Sequence, residues 1–202
     1  MFTGIVEAVG EVVAVERRGA ALALAVDARD LDLSGARVGE SIAVDGVCLT
    51  ATAFDGRLFW ADLSPETLAL TTLGAVEVGR RVNLERAMPA QGRFGGHLVT
   101  GHVDGVGEVV ARALEGDGVR LRIRAPQALA PYLARKGSVA VDGVSLTVNE
   151  VAGAEFALAL IPHTLAHTTL DQCDVGRRVN LEVDIIARYL ERLLAAGGGP
   201  GS

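Results

Sequence analysis

Three side chains in this sequence are suited to proton transfer or nucleophilic chemistry. His97 and His102 lie five residues apart, and a neutral imidazole, with a pKa of about 6.5, is the usual general base at neutral pH. Cys48 is a candidate nucleophile, although a thiol reacts as the thiolate and a sequence does not reveal a lowered pKa. The structural alternatives are a hydrogen-bonded histidine for His102 and a small apolar wall residue for Cys48.

Metal ions and nucleotide cofactors have no signature in the sequence. The two cysteines, Cys48 and Cys173, are far apart and in no metal-ligand spacing, and there is neither a P-loop nor a dinucleotide-binding fingerprint. We therefore expect no metal and no cofactor. The wide separation of the cysteines also argues against a disulfide framework and favours a reduced, cytoplasmic setting.

The composition argues against several classes of protein. The 202 residues carry a net charge of −6, whereas a nucleic-acid partner requires a basic face. No apolar run reaches the roughly 20 residues that a membrane helix needs, and the N-terminal residues lack the features of a secretory signal. Hydrophobic residues make up 50% of the chain but aromatic residues only 4%, so the core must consist mainly of aliphatic side chains.

These candidate residues lie in a chain that contains one domain twice. A shift of 97 residues aligns residues 3–14 with 100–111, which are identical at nine of twelve positions, and the block VGRRVNLE at 78–85 recurs unchanged at 175–182. Two further pairs are 42–50 with 139–147 and 66–73 with 163–170. A seam without periodicity, MPAQGRFGGH, lies between the copies. We therefore expect domains at residues 1–97 and 98–183.

Each copy is predicted to form a small antiparallel β-barrel. Short runs rich in Val and Ala alternate with Gly and Asp at strand length, and Asp45-Gly46 and Asp142-Gly143 are tight-turn signals. One helix per copy is expected, beginning at Ser64-Pro65 and ending at Gly74 in the first copy. The sequence thus predicts an all-β fold: two tandem six-stranded antiparallel β-barrels from an internal duplication, plus a C-terminal α-helix.

The C-terminal segment has no counterpart in the first copy. Within residues 184–196, apolar side chains form one helical stripe, made up of Ile185, Ile186, Tyr189, Leu190, Leu193 and Leu194. The stripe can pack on the chain's own barrels or on the same helix of other subunits, and its regularity favours the second. We expect a subunit-assembly helix at 184–196 and a disordered tail at 197–202.

Four blocks together resemble the riboflavin synthases, a family of doubled lumazine-binding barrels of the alpha-chain type. The blocks are MFTGIVE at 1–7, AVDGVCLT at 43–50, GGHLVTGHVDG at 95–105 and VDGVSLTV at 141–148. The resemblance implies a homotrimer assembled by the C-terminal helix, with one lumazine per barrel and each active site between the N-barrel of one subunit and the C-barrel of its neighbour. The implied reaction is the dismutation of two 6,7-dimethyl-8-ribityllumazine molecules into riboflavin and 5-amino-6-(D-ribitylamino)uracil by four-carbon transfer.

The resemblance also implies two sets of substrate-binding residues related by the same shift. The N-barrel set is Gly4, Ile5, Val6, Cys48, Leu49, Thr50, Asp62, Leu63, Ser64, Pro65, Glu66 and Thr67. The C-barrel set is Gly101, His102, Val103, Ser145, Leu146, Thr147, Ala159, Leu160, Ile161, Pro162, His163 and Thr164, with Lys136 reaching a ligand across subunits. The duplicated threonines of these sets can both donate and accept hydrogen bonds with ribityl hydroxyls.

A dismutation requires asymmetry between two similar pockets, so positions at which the copies differ are catalytic candidates. Ile5 is replaced by His102 and Cys48 by Ser145. Family positions add Ser41 and Asp184, although Asp184 can equally cap the C-terminal helix. The predicted catalytic set is His102, Cys48, Ser41, Ser145, Asp184 and His97. His163 is expected to take part in binding only, and His167 to lie on the surface.

Two other functions share part of this pattern. A non-catalytic lumazine- or flavin-carrying protein would have the same fold, duplication and pocket motifs, but the catalytic candidates favour the enzyme. A doubled-barrel interaction module without a ligand would give no reason for polar residues at matched pocket positions. Association with lumazine synthase is left open by the sequence.

Overall fold

The computed structural model describes residues 1–197 and contains two closed antiparallel β-barrels in tandem. The first barrel has the strand order β1-β2-β5-β4-β3-β6. Its strands are β1 (Ala8–Arg18), β2 (Ala21–Asp27), β3 (Ser41–Val44), β4 (Val47–Asp55), β5 (Leu58–Leu63) and β6 (Arg81–Arg86). The interior is filled by apolar side chains such as Leu24, Val44 and Phe59.

The second barrel repeats the first, with the order β10-β11-β8-β7-β12-β9. Its strands are β7 (Gly105–Glu115), β8 (Gly118–Arg124), β9 (Ser138–Val141), β10 (Val144–Ala152), β11 (Glu155–Leu160) and β12 (Arg178–Val183). Each boundary lies 97 residues after its counterpart, as in Ala8 and Gly105. The predicted pair of six-stranded barrels is therefore confirmed.

Two predicted turns give the barrels their shape. Asp45 and Gly46 have φ values of 46° and 77°, and Asp142 and Gly143 have 44° and 79°, as a two-residue hairpin with a type I′ turn requires. The turns join β3 to β4 and β9 to β10 with the register of adjacent antiparallel strands. Strand irregularities at equivalent positions, including Val12/Ala14 and Val109/Ala111, bend the sheets toward closure.

The helix of the first copy, α1 (Pro65–Leu70), ends earlier than the sequence suggests. Ser64 caps it, because its Oγ accepts a hydrogen bond from Thr67 N at 3.1 Å. Thr71 then adopts an extended conformation, and its hydroxyl accepts from Leu73 N, starting a 3-10 turn over Thr72–Ala75. The predicted end at Gly74 is therefore wrong for the α-helix, since Gly74 lies in the 3-10 turn. The second copy has α2 (Pro162–His167) in the equivalent place.

Two asparagines connect the barrels to each other. Asn83 donates to the backbone oxygen of Asp142 at 2.8 Å and accepts from Thr169 N at 2.7 Å. Asn180 makes the equivalent bonds in the other direction, to Asp45 O at 2.9 Å and from Thr72 N at 2.8 Å. All four bonds are buried, so losing one partner would leave an unsatisfied polar group and cost about 1–3 kcal/mol.

A buried ionic cluster lies beside these asparagines. The Arg80 guanidinium is 2.8 Å from the Asp45 carboxylate, and Arg177 is 3.3 Å from that of Asp142. Both carboxyl groups are fully buried, and this burial raises the pKa of Asp45 and raises the pKa of Asp142 to about 7, with the charge of Asp45 adding to the second shift. Because of this arrangement, the two copies share one charged junction.

The C-terminal helix α3 (Ile185–Gly197) is attached to the second barrel by its polar face. Arg188 pairs with Asp104 and lies over the Tyr132 ring, 5.5 Å from the centroid, while the Tyr132 hydroxyl donates to Glu191. The predicted apolar stripe is exposed in the chain, at 62% for Ile186, 67% for Tyr189, 55% for Leu190, 70% for Leu193 and 68% for Leu194. Only the half-buried Ile185 departs from this pattern.

Gly197, the first residue of the segment predicted to be disordered, is the last residue of α3, and residues 198–202 lie outside the described residues. Between residues 1 and 197 no helix is long and apolar enough to cross a membrane.

Candidate ligand-binding and catalytic sites

Two short loops cross from one barrel to the other. The backbone oxygen of Gly4, in the first copy, accepts a hydrogen bond from Ser145 N of the second at 2.8 Å. The backbone oxygen of Gly101, in the second copy, accepts from Cys48 N of the first at 2.8 Å. A Cβ atom at Gly4 would lie 2.6 Å from Ser145 Cβ, and one at Gly101 would lie 2.6 Å from Cys48 Cβ. Glycine is therefore required at both crossings.

The residues that follow these glycines continue the exchange. Val6 packs against the core of the second barrel, and Val103 packs against the core of the first. The linear motifs group each loop with strands of its own copy, whereas the structure places each loop on the other barrel. We name the two arrangements the Ser145 site (Gly4–Val6 with Ser145–Thr147) and the Cys48 site (Gly101–Val103 with Cys48–Thr50).

A buried carboxylate fixes each crossing loop. Glu85 accepts from Thr3 N at 2.6 Å, from the Thr3 hydroxyl at 2.8 Å and from Gly4 N at 3.0 Å. Glu182 accepts from Thr100 N at 2.6 Å, from the Thr100 hydroxyl at 2.8 Å and from Gly101 N at 2.9 Å. Burial raises the pKa of both glutamates, and the donated hydrogen bonds oppose that shift.

The Ser145 site also receives the seam between the copies. His97 Nδ1 lies 2.7 Å from Ser145 Oγ, and His97 N donates to Thr3 O at 3.1 Å. Gly96 is pressed against the same serine, because a Cβ there would lie 2.9 Å from Ser145 Oγ. The structure therefore brings together His97 and Ser145, two of the predicted catalytic residues.

The environment of His97 favours a neutral imidazole. Burial lowers the pKa of His97, and the nearby negative charge of Asp184 partly opposes this effect. His97 Nε2 is buried and has no hydrogen-bond partner among residues 1–197. A neutral imidazole held through one nitrogen can accept or donate a proton through the other.

Asp184 has a second role beside this histidine. Its Oδ1 accepts a hydrogen bond from Ile186 N at 3.0 Å, and its backbone oxygen accepts from Ala187 N at 2.9 Å. The cap role that the sequence suggested for Asp184 is thus present at the start of α3, where a carboxylate also favours the helix dipole.

The Cys48 site is more open. His102 is exposed, and within the described chain only its backbone nitrogen is hydrogen-bonded, to the Thr100 hydroxyl at 3.3 Å. The Cys48 side chain is half-buried against a small cluster formed by Phe2, Ala43, Val99 and Ala140. Both cysteines are free thiols, and burial raises the pKa of the Cys173 thiol to about 12, which makes it inert.

Ser41 lies on β3, where it pairs with Thr50 of the Cys48 site across the β3–β4 ladder. It borders a cavity of about 650 Å³ whose wall also contains Ile5, Glu85 and Arg93. Ile5 belongs to the Ser145 site, so the cavity adjoins that site from the side of β3 and the seam. The structure does not place Ser41 against His97 or Ser145.

The remaining predicted binding residues lie mainly on the outer faces of the barrels. Those exposed to solvent are Thr50, Asp62, Ser64, Pro65, Glu66, Thr147, Ala159, Ile161, Pro162 and His163, while Thr67, Leu146 and Thr164 are half-buried. Leu49, Leu63 and Leu160 belong to the apolar cores. The apolar cores fill the interiors of both barrels, so we expect a ligand to bind on the outer face of each barrel.

Lys136, His163 and His167 of the second copy lie close in sequence to β9 or β11. Lys136 is exposed with a φ of 70°, and its backbone nitrogen donates to Val148 O at 2.7 Å. His163 stacks on His167 with ring centroids 4.1 Å apart, and both are exposed, as expected for His167. Over residues 1–197 no group of three or more potential ligand side chains is placed to hold a metal ion.

Reasoning from the sequence missed the two buried glutamates. Glu85 and Glu182 end the block VGRRVNLE, which is identical in both copies. A buried carboxylate at the end of a strand is rare unless it is hydrogen-bonded. The signal that could have identified them is an unchanged glutamate directly after the leucine of this strand block, Leu84 or Leu181.

The comparisons with known proteins agree with this duplicated arrangement. The lumazine-binding-domain family matches residues 3–87 and again residues 100–184. Riboflavin synthase of Photobacterium phosphoreum is 49% identical over 96% of this chain and 89% of that protein. Riboflavin synthase of Mycobacterium bovis is 48% identical over 98% of this chain and all (100%) of that protein, and that of Bacillus subtilis is 41% identical over 96% and 90%.

Solved structures show the same fold with bound ligands. LumP complexed with riboflavin superposes with a TM-score of 0.84 at 25% identity, covering 91% of this chain and 99% of that one. LumP complexed with 6,7-dimethyl-8-(1′-D-ribityl)lumazine gives a TM-score of 0.82 at 24% identity over the same shares, 91% and 99%. The family match covers both copies and the relatives match nearly the whole length, so the chain belongs to the riboflavin synthase family of enzymes, with two lumazine-binding domains in tandem.

Proposed function

We propose that this chain converts two molecules of 6,7-dimethyl-8-ribityllumazine into riboflavin and 5-amino-6-(D-ribitylamino)uracil. The reaction moves a four-carbon unit from one lumazine to the other, so it needs two binding sites for the same compound and a chemical difference between them. The observation that carries the proposal is the pair of crossed sites. Each site has its own glycine loop and its own buried glutamate, and only the Ser145 site contains the His97–Ser145 contact.

Within this proposal, His97 is the acid–base residue. Its lowered pKa keeps the imidazole neutral near pH 7, and its contact with Ser145 Oγ fixes the ring. Ser145 links the imidazole to the ligand surface of β10, and Asp184 contributes negative charge that would stabilise the imidazolium. Cys48 and His102 form the second surface, with Ser41 and Lys136 at the margins of the two sites.

The substrate-binding surfaces follow from the crossing of the loops. Gly4–Val6 with Ser145–Thr147 and Ala159–Thr164 would bind one lumazine, and Gly101–Val103 with Cys48–Thr50 and Asp62–Thr67 would bind the other. The exposed and half-buried threonines of these segments would bind the ribityl hydroxyls.

The direct test is turnover of purified protein. Riboflavin should form from 6,7-dimethyl-8-ribityllumazine at one molecule per two consumed, in chelator and without added cofactor. A protein that binds lumazine and quenches its fluorescence but forms no riboflavin would instead be a carrier, the function that the likeness to LumP leaves as the second candidate. Absence of both binding and turnover would favour an interaction module.

We further propose that α3 assembles the chain into a homotrimer. The helix is attached to its own barrel by polar contacts, so its exposed side chains Tyr189, Leu190 and Leu193 are free to meet the same helix of other subunits. A chain ending at Asp184, without residues from Ile185 onward, should sediment as a folded monomer, whereas a trimer of that truncated chain would contradict the proposal.

Two finer expectations accompany the function. The enzyme is expected in the cytoplasm, where free thiols such as Cys48 stay reduced. A complex with lumazine synthase would be detected by co-sedimentation of the two purified proteins.

A further inference from the structure

A second cavity, of about 400 Å³, lies at the junction of the barrels and shares no lining residue with the Ser145 or Cys48 sites. Equivalent segments of the two copies form it, with Arg80 and Arg81 from one and Arg177 and Arg178 from the other. We propose that this arginine cavity binds an oxyanion of the phosphate class, either inorganic phosphate or a phosphate monoester. The inference is independent of the proposed catalytic function.

Arg80 and Arg177, which line the cavity, each retain a free hydrogen-bond donor. Arg80 donates through Nη1 and Nη2 to Asp45 and Thr72, and Arg177 donates through the same two nitrogens to Asp142 and Thr169. Across residues 1–197, the Nε–H group of neither arginine donates to another residue. An arginine has five N–H donors in a planar fork, which suits the oxygens of a phosphate.

The outer pair of arginines is even less engaged. Arg81 makes one ion pair, with Asp171 at 3.2 Å, and Arg178 is exposed and makes no ion pair with a carboxylate of residues 1–197. The inner pair is held firmly, since the side chains of Arg80 and Arg177 are only 23% and 20% exposed. The cavity therefore combines two fixed guanidinium groups with two that can adjust to a ligand.

The charge balance of the cavity also favours an anion. Three of the four guanidinium groups form an ion pair, with Asp45, Asp171 and Asp142, and the fourth, that of Arg178, forms none within residues 1–197. Burial raises the pKa of Asp142 to about 7, so this carboxyl group is partly protonated near neutral pH, and burial also raises the pKa of Asp45. The chain as a whole has a net charge of −6, so this concentration of positive charge is a local feature of the junction.

Size and position suggest the effect of such a ligand. A cavity of about 400 Å³ accommodates a phosphate with a small organic group. An oxyanion bound by Arg81 and Arg178 would bridge strands β6 and β12, which belong to different barrels. A ligand that binds only the folded chain stabilises that chain, so phosphate bound at the junction should raise the melting temperature of the protein.

The test is a titration of the full chain with inorganic phosphate, monitored by calorimetry, in chloride buffer of constant ionic strength. The variant R81Q/R178Q keeps the inner arginines with their buried aspartates and should bind about tenfold more weakly or worse, because charge-assisted hydrogen bonds are lost. The control R17Q/R37Q removes two exposed charges outside the cavity and should bind as the unmodified chain does. The single variant R178Q, which breaks no ion pair, serves if the double variant unfolds.

A parallel titration with glycerol phosphate distinguishes the two sources of the oxyanion. Tighter binding of the ester than of inorganic phosphate would show that the cavity also recognises an organic group. The proposal would be overturned by the absence of saturable binding of either compound, by unchanged affinity in R178Q and R81Q/R178Q, or by an equal loss in R17Q/R37Q.

Discussion

The Ser145 site and the Cys48 site are built from the same parts and differ in one added segment. Each has a left-handed glycine, Gly4 or Gly101, whose loop is held by a buried glutamate and hydrogen-bonded to a strand of the other barrel. Only the Ser145 site is also contacted by the seam that connects the copies, which brings His97 within 2.7 Å of the serine.

The difference shows how a duplicated domain can become asymmetric without a change of fold. Duplication alone gives two equivalent surfaces, and substitutions such as Ile5 to His102 adjust each surface separately. The connecting segment exists once, so a residue on it can serve only one surface. The placement of His97 therefore separates the two sites more strongly than any substitution between the copies.

The largest expected effect is a difference between the two histidines. H97Q keeps a hydrogen-bonding group next to Ser145 but removes the acid–base group, so the single-turnover rate should fall by about 100- to 10,000-fold with little change in lumazine affinity. H102Q should lower the rate by less than about tenfold, because an exposed side chain without hydrogen bonds to residues 1–197 loses a contact at most. Equal losses in the two variants would assign the chemistry to both sites.

Substitution of Glu85 or Glu182 should change the site on the other barrel, because each glutamate holds a loop that contacts that barrel. In E85Q the amide group faces the backbone N–H groups of Thr3 and Gly4 with one oxygen in place of two, so the variant should lose about 1–3 kcal/mol of unfolding free energy. The damage should appear at Ser145, in the second barrel. E182Q should instead loosen Gly101 and raise the rate at which a thiol reagent labels Cys48.

Labelling of Cys48 and denaturant unfolding of both variants would test this crossing. E108Q, at an exposed strand position, is the matched control and should change neither quantity. Faster labelling of Cys48 in E85Q than in E182Q would show that each loop belongs to its own barrel in solution.

The parts of the fold that depend on local sequence could be predicted. The 97-residue repeat predicted two equivalent barrels, and Asp45-Gly46 and Asp142-Gly143 predicted two hairpin turns, because a type I′ turn is determined by two residues. The apolar stripe predicted α3, because helical periodicity is also a property of the local sequence. The end of α1 was missed because Thr71, a residue compatible with a helix, uses its hydroxyl to cap the following turn.

The crossing of the loops could not be predicted from the repeat. The repeat shows that Gly4 is equivalent to Gly101 and that Cys48 is equivalent to Ser145. It does not show whether the Gly4 loop contacts Cys48 of its own barrel or Ser145 of the other barrel, because both arrangements are consistent with the same 97-residue shift. The contact of Gly4 with Ser145 joins residues far apart in the chain, and only packing decides it. For the same reason the sequence proposes both His97 and His102 as catalytic residues, whereas burial and the Ser145 contact distinguish them.

A smaller effect is expected from the two buried aspartates, Asp45 and Asp142, on the pH dependence of the unfolding free energy. Burial raises the pKa of Asp45 and raises the pKa of Asp142 to about 7. A carboxyl group with a raised folded-state pKa stabilises the fold fully below pH of about 4 and loses that contribution as the pH rises to about 7. The unfolding free energy should therefore decrease over this range by about 1 kcal/mol per pH unit.

Denaturant unfolding of D45N and D142N at a series of pH values would measure the contribution of the two aspartates to the pH dependence of stability. Glu85 and Glu182, with raised pKa values, contribute in the same direction, and His97, with a lowered pKa, contributes in the opposite direction as the pH falls below about 6.5. Both variants should have a flatter pH dependence, because the charges of the pair interact. An unchanged dependence in both would show that the junction does not bind the proton.

The smallest expected effect concerns the residues that name the two sites, because each can be exchanged for its counterpart. In C48S the backbone contact with Gly101 and the neighbouring apolar cluster remain, so the rate should stay within about twofold, as for a change of ±0.5 kcal/mol. In S145C a thiol, a weak hydrogen-bonding group, replaces the hydroxyl bound to His97, at a cost of about 0.5–1.5 kcal/mol, which is roughly a two- to twelvefold slower reaction. The single-turnover rates of the two variants, with the pKa of His97 followed by NMR, would rank the sites directly. A larger loss in C48S than in S145C would show that the thiol takes part in the reaction and would reverse the comparison.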